Sequence, residues 1–312
     1  MMLRNESTLT KFFFVGFTND PKLEVPFFVL FLSVYTFTLL GNCCILAIVW
    51  LSPQLHTPMY FFLTQLACLD LFFSSTISPK MLADLLTEKR IITFSGCMAQ
   101  IYFFSAFAST EFFMLAVMAY DRYVAICNPL TYTIIMNNSM ILRLVAGSYI
   151  GGFLNSLIHA SGLYRLSFCG PDVMNHFVCD YPVLLKLSCT DILINELVLS
   201  VLASFIVVGS LLVIFVSYSY IIRAILKMGN TAGRSRAAST CISHFTCVFL
   251  FHGSVFLNEI LPKANTLEGQ YKVVTVILTV MIPALNPLIY SLRNNEVKEA
   301  VRKILSWTFK TM

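Results

Sequence analysis

The sequence predicts an all-α membrane protein: a bundle of seven membrane-spanning helices with a short amphipathic helix on the membrane surface after the seventh. Three observations carry that prediction. The 312 residues are 57% hydrophobic and 12% charged, with mean hydropathy +0.78, whereas soluble domains carry about 25% charged residues. Seven stretches each supply the roughly 20 apolar residues that a bilayer core demands. After the seventh, apolar and basic residues recur with a helical period. The organisation reads as an outer N-terminal segment, 1–25, a bundle over 26–292 and a cytoplasmic tail over 293–312, without an internal repeat.

The elements follow in order. Residues 1–25 do not read as a secretory signal, because Phe12 to Phe17 is a short apolar core and Asp20, Lys22 and Glu24 follow it. Span one, Pro26 to Leu51, is uncharged and would also serve as the insertion signal. Span two, Pro58 to Pro79, carries Asp70, and span three, Cys97 to Tyr120, carries Glu111. Span four, Leu144 to Tyr164, holds His159, and span five, Leu197 to Ile222, is uncharged. Span six, Ala237 to Asn258, holds His244 and His252, and span seven, Val273 to Leu292, is uncharged again. In the tail, Val297, Val301, Ile304 and Leu305 share one helical face opposite Lys298, Arg302 and Lys303. That pattern suits an interfacial helix on an anionic inner leaflet.

Charge and cysteines suggest the orientation. With the amino terminus outside, the cytoplasmic side holds eleven of the 21 Lys/Arg residues but only three acids, Asp121, Glu296 and Glu299. The Lys/Arg split alone is nearly even and acids weigh little in the positive-inside rule. Asn5-Glu6-Ser7 is a glycosylation acceptor on the outer side, while Asn137-Asn138-Ser139 falls in a cytoplasmic loop and should be silent. Cys97, Cys169, Cys179 and Cys189 all fall outside, where disulfides persist. Four cysteines allow three connectivities, and spacing does not choose among them.

Three constellations carry mechanism. Asp121-Arg122-Tyr123 lies where span three meets the cytoplasm. Its guanidinium can pair with the adjacent carboxylate or swing to another partner, and two alternatives of similar energy make a switch. Alone, such a pair is more often an anchor. A second motif in the matching place favours the switch: PALNPLIYSLRN, Pro283 to Asn294, brings Tyr290 toward Arg122. Pro283 and Pro287 interrupt span seven and free backbone carbonyls that Asn286 and Ser291 could satisfy. The third constellation is Asp70 with Glu111, buried ionisable groups expected to face each other near Asn42 and Asn286. It would hold a sodium ion, share a proton, or serve as a static hydrogen-bond network that fixes helix register.

With these residues in view, the chain resembles the vertebrate odorant receptors, a branch of the rhodopsin-like G-protein-coupled receptors. The signature strings are LHTPMYFFL (Leu55 to Leu63), MAYDRYVAIC (Met118 to Cys127), Ser217-Tyr218, ASTCISH (Ala238 to His244) and PALNPLIYSLRN. They cover essentially the whole chain in order. The resemblance implies disulfides Cys97–Cys179 and Cys169–Cys189, and no cofactor for catalysis. It implies that Arg122 binds the carboxy-terminal helix of an olfactory stimulatory G protein once span six swings outward, raising cyclic AMP. Tyr218, His252, Asn286, Pro287 and Tyr290 would belong to the same activation machinery. The ligand would be a small volatile between spans three, five, six and seven. Its lining would be Phe104, Ser105, Ala108 and Ser109; Leu202 and Phe205; Val255, Phe256 and Glu259; and Thr275 and Leu278. Such sites are mostly apolar with a few polar groups. The alternative on the same scaffold is a chemosensory receptor outside olfaction; a more remote rival, from another class, is a membrane transporter.

Several positions depart from the family pattern. His252 stands where relatives carry tyrosine, so an imidazole that titrates near neutrality replaces a phenol, or a neutral ring simply hydrogen-bonds within the core. Glu259 replaces a frequent tyrosine and would either attract a basic odorant or face water and Lys263. Arg236, Ala238 and Leu278 are milder departures. Other classes fit poorly. Span seven has no lysine for a retinal Schiff base, and Phe104 stands where amine receptors place an aspartate. No repeated halves suggest a transporter. No HExxH, Gly-x-Ser-x-Gly or phosphate-cradling loop suggests an enzyme. The net charge of +5 is accounted for by the inner membrane face rather than by nucleic acid.

Overall fold

Seven helices long and apolar enough to cross a membrane make up the fold. The structure is a computed structural model and describes residues 10–18, 20–169, 172–229, 231–261, 268–293 and 296–303. Spans one to six occupy Pro21–Leu51, Pro58–Leu85, Phe94–Cys127, Asn138–Leu163, Leu193–Lys227 and Thr231–Ile260. Most outrun their apolar windows, because a helix already formed in lipid continues until a cap or proline ends it. Span one begins at Pro21, where the Asp20 carboxylate accepts from the Lys22 amide at 3.0 Å. Span four begins six residues early, where Asn137 accepts from the Met140 amide at 2.9 Å.

Span seven is built in three pieces: Glu268–Val276, a π-helical stretch Ile277–Met281, and Ile282–Arg293. The prolines explain this. Pro283 lacks the amide that would serve the Thr279 carbonyl, and the rewinding falls on that turn. Pro287 likewise strands the carbonyl of Pro283. Its partner is Asn42 of span one, which donates at 3.1 Å. This corrects the expectation that Asn286 would fill the gap, since the Asn286 amide is engaged by Asp70. The Ser291 side chain lies outside what the structure describes.

Span three is the hub, buried over 67% of its most apolar window, against 17% for span five. Its contact with span four is backbone-close. A Cβ on Gly152 would stand 2.7 Å from the Ala106 carbonyl oxygen, so only glycine permits this approach.

One end of the bundle carries a feature that periodicity did not suggest. Strand β1, Lys11–Phe14, pairs antiparallel with β2, Ile91–Thr93, and parallel with β3, Val173–Met174. Phe12 and Phe14 point inward on the alternating face and are buried. The same end holds both disulfides, Cys97–Cys179 and Cys169–Cys189. At the other end, residues 296–303 are helical, with Val297 and Ala300 buried against the bundle and Lys298, Arg302 and Lys303 exposed. The Tyr60 hydroxyl donates to Glu296 at 2.7 Å and helps dock this helix. Ile304, Leu305 and the acceptor residue Asn5 lie outside the described residues.

Candidate functional site

Three polar layers run through the bundle, starting from the disulfide end. In the first, the residues expected to hold a ligand divide. Phe104, Ala108 and Val255 pack against the apolar cluster that contains Leu278, and Phe104 also stacks on Phe73 with centroids 5.2 Å apart. Ser105, Leu202 and Glu259 are half-buried. Thr275 is fully buried and donates to Asn258 Oδ1 at 2.9 Å.

Three of the expected residues turn elsewhere. Phe205 and Phe256 are 75% and 62% exposed on the outer surface of the bundle, so both leave the candidate pocket for the lipid face. Ile206 and Ser210 are the first two of the six buried residues of span five. Ser109 is buried, but it accepts from Asn155 of span four at 2.9 Å. His252 faces inward: it pairs with Ser210 at 3.1 Å and with the Val248 carbonyl at 3.0 Å. The carbonyl can only accept, so Nδ1 donates to it and Nε2 is the nitrogen facing Ser210.

Above this layer sits a polar knot that motif reading missed. Asp180 is buried in the loop after Cys179 and accepts from the Tyr271 hydroxyl, the Tyr181 amide at 2.8 Å and the Asn258 amide at 3.4 Å. Burial raises its carboxyl above the ordinary range, and the hydrogen bonds oppose that rise. A local signal existed. Asp180-Tyr181-Pro182 is an N-cap followed by proline, and it opens the short helix Tyr181–Leu185.

The middle layer joins spans two, three and seven. Asn286 donates to both carboxylate oxygens of Asp70, at 3.0 and 3.1 Å. Glu111 lies within electrostatic reach of Asp70 and beside Asn286, and all three are buried. Asn42 stands apart on the span seven backbone. Two acids buried together require a compensating proton or cation, so this donor set fits a monovalent ion or a shared proton.

The third layer lies at the end of span three. Asp121 is buried and accepts from the Tyr132 hydroxyl at 2.8 Å. Of the two alternatives open to Arg122, the ion pair with Asp121 is not formed among the described residues, although the two charges lie within electrostatic reach. Its half-buried guanidinium also lies within electrostatic reach of Tyr218 and His244. Burial first, then the Asp121 charge, raises the Tyr132 phenol and keeps it a donor. Tyr218 bonds His244 Nδ1 at 2.8 Å, while His244 Nε2 meets the Leu115 carbonyl at 3.1 Å. Spans three, five and six are therefore linked through one imidazole. Tyr123 packs against Tyr220, and Tyr290 places its buried hydroxyl near Cys247 and Tyr218.

Known proteins resemble this chain in sequence and in fold. A family model described as olfactory receptor matches residues 31–308. Human olfactory receptor 5F1 is 46% identical over 306 residues, covering 98% of each chain. Mouse olfactory receptor 5AP2 is 47% identical, covering 97% of this chain and 95% of its own. The crystal structure of squid rhodopsin superposes with a TM-score of 0.71 at 17% identity, covering 93% of this chain and 83% of the other.

Proposed function

Because this chain belongs to the olfactory receptor family, we propose that it is an odorant receptor. It binds a small volatile molecule within the bundle and activates a heterotrimeric G protein of the olfactory stimulatory type, raising cyclic AMP. The disulfide end faces outward and the Arg122 end faces the cytoplasm of a multi-pass plasma-membrane protein. One observation carries the reading: Arg122 is half-buried without an ion pair among the described residues, while its neighbour Asp121 is held by Tyr132. A cation without an ion pair at that boundary is available to carbonyls of an inserted helix.

In this reading the ligand lies over Phe104, Ser105, Ala108, Leu202, Val255, Thr275 and Leu278. The Asp70–Glu111–Asn286 layer holds a sodium ion or a proton and couples the pocket to Arg122. The test is cyclic AMP production in cells that express the chain with the olfactory G protein under a broad odorant panel. A dose-dependent rise that vanishes when the stimulatory G protein is deleted supports the proposal. A rise that survives the deletion contradicts the coupling, and an agonist-independent ion current would favour a transporter or channel.

A further inference from the structure

His176 is 0% exposed and lies three residues before Cys179, which the Cys97 disulfide pins to the start of span three. The Val178 amide donates to its Nδ1 at 3.3 Å. Burial, with the charge of Lys272, pushes the imidazole down to about 3, so the ring is neutral and its one proton sits on Nε2. That Nε2–H is buried without a hydrogen-bond partner among the described residues. An unmade buried donor is disfavoured and marks a place where an acceptor belongs.

The ring's surroundings show which acceptor is missing. It packs on Phe177 and on Tyr271, each with centroids 4.8 Å away. Tyr271 heads a column on span seven that continues one turn on to Thr275 and then Leu278. Phe177 and Val178 belong to the apolar cluster against which Phe104 packs. His176 therefore roofs the part of the bundle where Phe104, Thr275 and Leu278 lie. The neighbouring acceptors are engaged: Asp180 takes Tyr271, Tyr181 and Asn258, and Asn258 Oδ1 takes Thr275. From its own ring, His176 offers this space one donor.

We propose that His176 Nε2–H is a specificity-determining contact, and that the ligands are small neutral molecules with an acceptor oxygen: ketones, aldehydes and esters. The inference rests on the receptor reading above. A protonated amine would bring donors to a donor beside the Lys272 charge, and of the two carboxylates near Tyr271, Asp180 and Glu259, the first is already taken by three donors.

The experiment compares matched pairs, such as 2-octanone with 2-methyl-1-octene and with protonated 2-aminooctane, within a panel of ketones, aldehydes and esters. It reads G-protein activation in wild type, His176→Phe and His176→Gln at matched surface level. The expected result is activation by acceptor-bearing members and at least tenfold weaker potency for each alkene. His176→Phe, which keeps the ring stack, should lose about tenfold in ketone potency, and His176→Gln should recover part of it. Agonist-free signalling in wild type against Arg122→Ala reports separately on the receptor reading. Normal basal signalling with no acceptor-bearing agonist overturns the inference and leaves the receptor standing. Equal potency of ketone and alkene, activation by the amine alone, or unchanged ketone potency in His176→Phe also overturns it.

Discussion

The two ends of this bundle are held in different ways. At the disulfide end, two disulfides, a three-stranded sheet and the Arg90–Glu24 ion pair bind the segments together. Lys272 adds bonds to the Gly16 carbonyl and to Asn175, both at 2.8 Å. At the Arg122 end, no disulfide, sheet or ion pair joins the segments among the described residues; apolar packing is supplemented by side-chain hydrogen bonds such as Tyr132 to Asp121, Tyr218 to His244 and Tyr60 to Glu296. Each such bond contributes about 1 kcal/mol, and a set of them rearranges far more readily than covalent links. In the proposed reading the contrast is a division of labour, with a rigid mouth that would recognise the ligand and a loosely latched base that would move.

The largest effect should come from cutting the rigid end. Cys97→Ser removes the link between span three and the loop that carries His176 and Asp180, at a cost of about 2–5 kcal/mol. Cell-surface receptor measured by flow cytometry should fall close to background. Survival of surface receptor would mean that the sheet and ion pair suffice.

Next is the seam between spans three and four. Gly152→Val drives a side chain into the Ala106 carbonyl and should cost about 1–3 kcal/mol, while Gly147→Val, where a Cβ meets nothing within 4 Å, should be near neutral. Thermal denaturation of detergent-purified receptor would separate the two variants.

Loosening the base should change signalling more than stability. Tyr132→Phe deletes the Asp121 hydrogen bond, worth about 1 kcal/mol. Agonist-free signalling should rise by about fivefold at equal surface level; unchanged basal output would show that this bond is no latch. The smallest effect should be Phe205→Ala, whose 75% exposed ring faces lipid. Agonist potency should stay within about twofold, and a larger shift would return Phe205 to the pocket.

How much of this was legible in the sequence follows from the same physics. The seven spans stood out because hydrophobic length is a strong one-dimensional signal. Asp70 and Asn286 could be matched because polar residues in apolar stretches need partners. The facing of span five could not be read. Leu193–Lys227 is apolar nearly all round and has no polar stripe to set its rotation, so nothing in its sequence favours Ile206, which turns in, over Phe205, which turns out. The sheet at the mouth depends on pairings far apart in sequence, Lys11 with Thr93 and Phe13 with Val173, that no local pattern reveals. Tyr132 was hidden for a similar reason: its partner lies eleven residues back across the end of a helix.

The most direct test of a rigid mouth and a moving base is a pair of distances. Spin labels at Leu130→Cys and Arg234→Cys report on the base, and labels at Leu86→Cys and Tyr164→Cys report on the mouth; all four positions are exposed. Cys43 and Cys44, which are exposed, would first be replaced by serine. Pulsed electron resonance would be recorded on nanodisc-embedded receptor with and without nucleotide-free stimulatory G protein. The account predicts that the base pair lengthens by about 5 Å or more while the mouth pair stays within its original distribution. A mouth that widens while the base stays closed would contradict it.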